Sequence, residues 1–436
     1  MTNPQDPQDL QDAQDPQAPQ AARSAPDAPP PGCPAHAARL YGPDFRQEPA
    51  ETYRRIRREG QVTRVLLEGD VPVWFVVGYR ETRQVLNDVE TYGRDPRRWN
   101  GWDSVPPDWS LMPWVRYTPM MPFTEGEEHL RRAAAVSEVL ATLDPFVLRG
   151  HCERFADQLI DKFAVTGRAD LVYDYIYSVP TLVTGEVFGL AGDESGLAAL
   201  AEGLTSSFVA REDALAAQQR AAGYVAGLVK AKREAPGPDL TSRFIQSTPY
   251  LTEEQHIADV MMLMGAALPL TSYWIGNTLR LLLTDERFAT TLTGNRRSVG
   301  EAMNEVLWVD TPLQNLIGRY ATRDTVLGGQ RIRTGDLVVL GLAAANADPL
   351  LWPNGHVGHA GNHSHVAFSA GEYGCPVGGP ETARIIAETT IEVLLDRVPD
   401  LVLAVAPDEL KWVDSVWYRY LESLPITFTP TRVTGG

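Results

Sequence analysis

Residues 363–380 read His363-Ser-His-Val-Ala-Phe-Ser-Ala-Gly-Glu-Tyr-Gly-Cys-Pro-Val-Gly-Gly-Pro380, and a helix-forming run, Glu381–Val398, follows directly. A cysteine thus sits in a glycine-rich loop at the entrance to a helix. Small residues allow a flat macrocycle to approach the backbone closely. N–H groups of the loop and of the helix start can bond the sulfur, lower its pKa and tune its donation to a metal. The plainer role of a free cysteine is a small buried apolar residue, so the neighbours of Cys375 decide its reading. Four of the eight histidines, His356, His359, His363 and His365, lie just before it. Their spacing is no standard structural-zinc pattern, and they read as solvent-exposed loop residues.

Outward from this loop, helix and strand patterns alternate irregularly. Residues 50–59 suit a helix. Val62–Leu67 and Val71–Val77 read as strands joined by Glu68-Gly69-Asp70, a hairpin signature with glycine in the turn. A helix is predicted from Arg80 to about Val89, then a Pro- and Trp-rich loop over 93–123. Helical periodicity dominates 126–232, with breaks near Gly167 and at 189–192. Another long helix, predicted from Thr252 to about Arg287, opens on the capping pattern Thr252-Glu-Glu-Gln255. Short strands with glycine turns occupy 320–343, and 402–429 reads as short β segments. The fold class is therefore mainly α with a small β portion and no strong internal boundary.

The 436 residues are 44% apolar and 22% charged, which suffices for a large buried core. The net charge is −17 and no run of Lys/Arg exceeds two residues, which argues against a nucleic-acid or anionic-membrane partner. Three scattered cysteines, Cys33, Cys152 and Cys375, argue against a disulfide framework and for a reducing compartment. No apolar run reaches the roughly 18 residues of a membrane span, and the first residues have no signal-peptide core. A soluble cytoplasmic protein is expected. Residues 1–31, a Pro/Gln/Asp/Ala tract, are too polar to pack and are expected to be disordered. That leaves 32–436 as the folded domain.

The run Phe368-Ser-x-Gly371-x-x-x-Cys375 resembles the cytochrome P450 signature, Phe-x-x-Gly-x-x-x-Cys. The resemblance extends over about 33–430. Val62–Tyr79 is similar to that family's first hairpin, and Thr322–Asp348 to its later hairpin and Ala-Ala-Asn-x-Asp-Pro segment. It implies the triangular-prism fold, haem b, and Cys375 as a thiolate ligand that pushes electron density onto iron to favour O–O cleavage. It also implies electrons from NAD(P)H through a ferredoxin and its reductase.

Three departures stand out. The family's Glu-x-x-Arg pair is replaced by Glu305-Val-Leu-Trp308, and residues 334–383 contain no Lys or Arg. A mainly actinobacterial subgroup with Glu-x-x-Trp resembles this sequence. Over the iron, where the family carries an acid and an alcohol that relay protons, stand Pro269 and Leu270 in Ala266-Ala-Leu-Pro-Leu270-Thr-Ser. Thr271 or Ser272 could shift into the gap if Pro269 kinks the helix; the alternative is back-bonding to a helix carbonyl. Tyr373 stands where the family mostly has a propionate-binding histidine. Other propionate candidates are Arg319 and His129, with Arg132 the closer substitute for the arginine expected at Ala133.

The loop 93–123 holds Trp99, Trp102, Trp109 and Trp114 and resembles the loop that caps the family's distal pocket. With Leu270, these faces suit a small aromatic or indolic substrate by stacking; the alternative is that they pack the loop onto the core. The expected function is oxidative tailoring of an aromatic or peptide-derived natural product. Loss of the acid–alcohol pair points from hydroxylation toward C–C or C–N coupling. The other class is a haem-binding accessory or sensor protein.

Overall fold

A computed structural model describes residues 37–190, 192–206, 214–286, 288, 298–352 and 361–434. The tail 1–31, Cys33, His356 and His359 lie outside the described residues. Beside the short strand β1 (Ala38–Arg39), the predicted hairpin forms as β2 (Val62–Leu67) and β3 (Val71–Val76), paired antiparallel from Val62↔Val76 to Leu67↔Val71. Gly69 takes a φ of 76° in its turn, a left-handed conformation that glycine adopts without strain.

The remaining strands are β4 (Tyr92–Gly93), β5 (Arg168–Asp170), β6 (Asn315–Ala321), β7 (Thr325–Leu327), β8 (Gln330–Ile332), β9 (Leu337–Gly341), β10 (Val402–Leu403) and β11 (Pro425–Thr427). The main sheet has the order β1-β2-β3-β9-β6-β4. Two details of it position the site. The β6–β9 register shifts between Leu316 and Arg319, where Gly318 has a φ of 91°; this is a bulge, which re-aims the side chain that follows it. The two-residue β4 pairs with the far end of β6, Gly93 opposite Tyr320.

The helical stretch predicted over 126–232 divides into Gly126–Leu140, Pro145–Phe163, Ser178–Phe188, Glu194–Ser206 and Ala214–Glu234. It also contains β5, which sequence periodicity did not show because its partner, β11, lies some 250 residues later. Helices Pro43–Gln47, Pro49–Glu59, Tyr79–Asn87 and Met112–Val115 precede that stretch, and Leu240–Ser247, Glu253–Thr284 and Val299–Val309 follow it ahead of β6. The last of these carries Asn304, Glu305 and Trp308.

The helix Glu253–Thr284 runs through the middle of the molecule. It begins at the expected capping box between Thr252 and Gln255, and it continues without interruption through Pro269. By length and composition it could cross a membrane. Here it is a core helix, packed on helices Ser178–Phe188, Ala214–Glu234, Val299–Val309 and Gly379–Arg397. Met264 and Leu268 enter one buried cluster, Tyr273 a second, and Trp274 and Ile275 a third. The helical and sheet portions thus meet across one helix.

Candidate active site

The cysteine loop is shaped by its own backbone. The N–H of Ser369 donates to the Val366 carbonyl at 2.8 Å, that of Cys375 to Phe368 at 3.0 Å, and that of Gly374 to Gly371 at 3.0 Å. Two of its glycines have a steric reason. Gly371 has a φ of 70°, and a Cβ there would lie 2.4 Å from the Leu86 carbonyl oxygen. A Cβ at Gly379 would lie 2.7 Å from the Cys375 sulfur. The first turn of helix Gly379–Arg397 therefore comes up against the thiol, with the positive end of the helix dipole beside it.

Cys375 is solvent-accessible, yet its surroundings desolvate the thiol and push it up to about 11. The two facts agree if the sulfur lines interior space rather than the outer surface. At neutral pH such a thiol keeps its proton, whereas a coordinating metal ion displaces that proton outright. Burial thus raises the thiol where the sequence led us to expect hydrogen bonds to lower it, so Cys375 is no free nucleophile in this form, and its role as a ligand rests on its place in the loop.

The loop is held from behind by neutral groups. The Trp308 indole N–H donates to the Asn362 carbonyl at 2.8 Å, and the Asn304 amide donates to the same oxygen at 3.0 Å. Trp308 packs edge-to-face on Trp352 (centroids 5.0 Å, 88°) and on His365 (5.8 Å, 82°). His365 in turn lies 6.1 Å from Phe368, and Phe368 lies 5.8 Å from Trp274. Asn346 ties the same region together, accepting from the Val366 N–H and donating to the Leu307 carbonyl, both at 2.9 Å. His365 corrects the expectation of exposed histidines: burial pushes it down to about 4, so it is neutral, while His363 is exposed. The signal that could have placed it is the apolar run Val366–Phe368 directly after it.

Tyr373 is the centre of a second group. The His129 ring meets it edge-on at 4.7 Å, and the Arg319 guanidinium lies 5.3 Å from its ring centroid. Arg319 is fully buried, and among the described residues its Nε and Nη2 have no hydrogen-bond partner. Its pKa is lowered well below the usual arginine range, first by burial and then by the neighbouring Arg94. The His129 ring nitrogens lie 3.2 Å from the Met121 carbonyl and 3.3 Å from that of Glu372. Burial lowers its pKa against the pull of those two carbonyls.

Arg132 does not join this group. It is buried with Asp259 on the central helix, bonded through Nη2 at 2.6 Å and Nε at 2.9 Å, and it donates to the Pro119 carbonyl at 2.8 Å. Asp259 also accepts from the Met121 N–H at 2.6 Å; burial raises its pKa more than Arg132 lowers it.

On the central helix, Ala266 is accessible and Leu270, one turn on, is half-buried, although their neighbours Leu268 and Pro269 are buried. The Ser272 hydroxyl donates to the Leu268 carbonyl at 2.9 Å. Thr271 is buried, and among the described residues its hydroxyl has no hydrogen-bond partner. In the loop 93–123, Trp99 and Trp109 are buried and 6.0 Å apart, and Trp109 donates to the Glu68 carbonyl at 2.6 Å. Trp102 meets Trp99 at 5.0 Å and Trp114 meets Tyr418 at 5.7 Å; both are half-buried.

These residues fit a haem. A thiol desolvated by its surroundings sits at a helix start, two nitrogens of buried Arg319 have no hydrogen-bond partner among the described residues, and Ala266 and Leu270 keep accessible surface beside buried neighbours on the central helix. Arg319, His129 and Tyr373 would hold the propionates, and Cys375 the iron.

No family model matches the chain. The cytochrome P450 monooxygenase PikC of Streptomyces venezuelae is 30% identical over 407 residues, covering 90% of this chain and 94% of that protein. The polyketide biosynthesis cytochrome P450 PksS of Bacillus subtilis is 25% identical over 404 residues, covering 89% and 98%. Its solved structure matches with a TM-score of 0.78 at 25% identity, over 89% of this chain and 99% of that one. CYP154C4 from Streptomyces sp. W2061 gives a TM-score of 0.80 at 25% identity, over 89% and 97%.

Proposed function

Because the chain belongs to the cytochrome P450 family, we propose that it tailors a small aromatic or peptide-derived natural product in secondary metabolism, by oxidative C–C or C–N coupling in preference to simple hydroxylation. Its cofactor is haem, reduced from NAD(P)H through a redox partner. When bound, haem supplies the stepwise reduction and cleavage of dioxygen at a thiolate-ligated iron. We assign the partner roles to a ferredoxin and its reductase, the haem domain to 32–436, and the compartment to the cytoplasm.

One observation carries the preference for coupling: Pro269 and Leu270 stand where an acid and an alcohol would pass protons, within a helix that Pro269 does not break. The Ser272 hydroxyl is engaged by the Leu268 carbonyl. Among the described residues the Thr271 hydroxyl bonds nothing, which leaves it the alcohol on this turn able to hold a proton. In coupling, two hydrogen atoms leave the substrate and no oxygen atom enters it: dioxygen, two electrons, two protons and those two hydrogen atoms leave as two waters. The two protons are needed as in hydroxylation, and an acidic O–H or N–H of an aromatic substrate, or solvent, can hand them on where the protein's own relay is missing. The natural-product class is supported by PikC and PksS, the second named for polyketide biosynthesis. All four tryptophans of the loop pack on the sheet core, Trp99 and Trp109 within it and Trp102 and Trp114 against it; only the exposed part of the last two supports an aromatic substrate.

The test is product analysis under isotopically labelled dioxygen with a surrogate ferredoxin and reductase. A product two hydrogens lighter than its precursors and free of label supports coupling; efficient incorporation of one labelled oxygen atom overturns it. The same missing relay favours, as a second reading, a haem-binding accessory or sensor protein. That reading requires a spectrum that responds to diatomic gases and no turnover with any surrogate partner.

A further inference from the structure

Arg94 was not singled out by sequence, and it is placed by the two-residue edge strand β4, which it directly follows. The pairing of Gly93 with Tyr320 sets residue 94 alongside residue 319, and the bulge at Gly318 turns Arg319 inward. The Arg94 guanidinium lies 5.8 Å from the Tyr373 ring centroid, and the Arg319 guanidinium lies 5.3 Å from the same centroid. Its Nε donates to the Pro122 carbonyl at 2.8 Å, and among the described residues its terminal nitrogens bond nothing. Desolvation pushes its pKa down to about 10.

The nearby carboxylates are engaged elsewhere. Glu125 is taken by Arg98 at 2.6 Å and by the Arg94 and Asp95 backbone N–H groups, and Asp95 is taken by Arg97 at 2.7 Å. Glu125 acts on Arg94 only at a distance, and no carboxylate bonds either guanidinium among the described residues. Two neighbouring desolvated guanidiniums without a bonded counter-ion are costly, because each repels the other. A dianionic ligand removes both penalties. The helix position where the family places its arginine, one turn after His129, is Ala133.

We propose that Arg94 is the second carboxylate-binding cation of the haem site, acting with Arg319 on the propionates and replacing, from the β4 side, the arginine that Ala133 lacks. Arg94 is thus a binding residue supplied by a loop, not by helix Gly126–Leu140. The inference rests on the haem-binding reading, and the experiment separates the two.

The holoprotein is purified as wild type, Arg94→Ala, Arg94→Lys and Arg94→Ala/Ala133→Arg. Haem loss is measured by transfer to excess apomyoglobin, and the reduction potential by spectroelectrochemistry. Arg94→Ala is expected to lose haem at least tenfold faster, with a lower potential, because a cation beside the porphyrin disfavours the ferric charge. Arg94→Lys is expected to fall between, and Ala133→Arg to recover most of both changes. Should Arg94→Ala fail to fold, Arg94→Lys alone decides: haem loss more than twofold faster than wild type with a lowered potential supports the assignment, and a rate within twofold with an unchanged potential overturns it. A haem-loss rate within twofold of wild type with an unchanged potential overturns the assignment and leaves the haem reading intact. Wild-type protein that binds no haem overturns both.

Discussion

Replacing Trp308 by phenylalanine keeps a ring against Trp352 and His365 and removes one donor. The lost bond is the 2.8 Å contact from the indole N–H to the Asn362 carbonyl. Asn304 still donates to that oxygen at 3.0 Å, so no acceptor is orphaned and the net loss is about 1 kcal/mol. The smaller ring also gives up part of the edge-to-face contact with Trp352, centred at 5.0 Å, for about another 1 kcal/mol. Applied to global unfolding of about 400 residues, a total of ~2 kcal/mol lowers Tm by roughly 2–3 °C. Applied to local opening of the cysteine loop, the same energy raises the open fraction by about 30-fold. The assay is the decay of the carbon-monoxide band diagnostic of thiolate ligation, followed beside a far-UV melt. The Trp308→Phe protein should lose that band at least tenfold faster while its Tm falls by under ~5 °C. Trp308→Arg restores the family's residue, yet it should behave worse than Trp308→Phe. The site is 2% exposed and faces two aromatic rings, and no Lys or Arg in 334–383 completes a network around it. A wild-type decay rate in Trp308→Phe, or a slower one in Trp308→Arg, refutes the reasoning.

Four further outcomes are expected. Asp259→Asn removes the charge that faces buried Arg132 and should cost ~3–5 kcal/mol, or roughly 4–6 °C in Tm; an unchanged melt would show that the pair is dispensable. Gly371→Ala forces a Cβ to 2.4 Å from the Leu86 carbonyl at a φ of 70°, so the holoprotein yield should collapse while Ala370→Gly leaves it intact. His365, pushed down to about 4 from an ordinary 6.5, binds its proton more weakly folded than unfolded. Its contribution to stability is therefore present above pH 6.5 and lost as pH falls toward 4, by about 2 kcal/mol at pH 5. Denaturant titrations at pH 7 and pH 5 should show His365→Phe losing less stability than wild type; equal losses count against it. The Pro269→Asp/Leu270→Thr protein regains an acid and an alcohol on the central helix, and it should raise the labelled-oxygen content of products; an unaltered content would detach reaction type from the relay.

What could be read in advance was local. The hairpin, the capping box at Thr252 and the Phe368–Cys375 loop each depend on residues within one short segment, so spacing alone exposes them. What stayed hidden was decided by distant partners. Arg132 and Arg94 are both arginines near His129 or Tyr373, and no local pattern says which one meets a carboxylate. Asp259, 127 residues after Arg132, settles the first, and β6, more than 220 residues after Arg94, positions the second. His365 looked solvent-exposed because its buried neighbour Trp308 belongs to another helix. The same logic connects the departures from the family pattern. A cation absent at 133 is answered by Arg94 through sheet pairing. An arginine absent at 308 is answered by an indole and an amide that grip the loop backbone without charge. A buried charge without its partner is costly, so the joint absence of the cations of 334–383 and of an arginine at 308 is physically coherent. A neutral anchor suits a site whose remaining cations are concentrated around Tyr373, where an anionic ligand satisfies them.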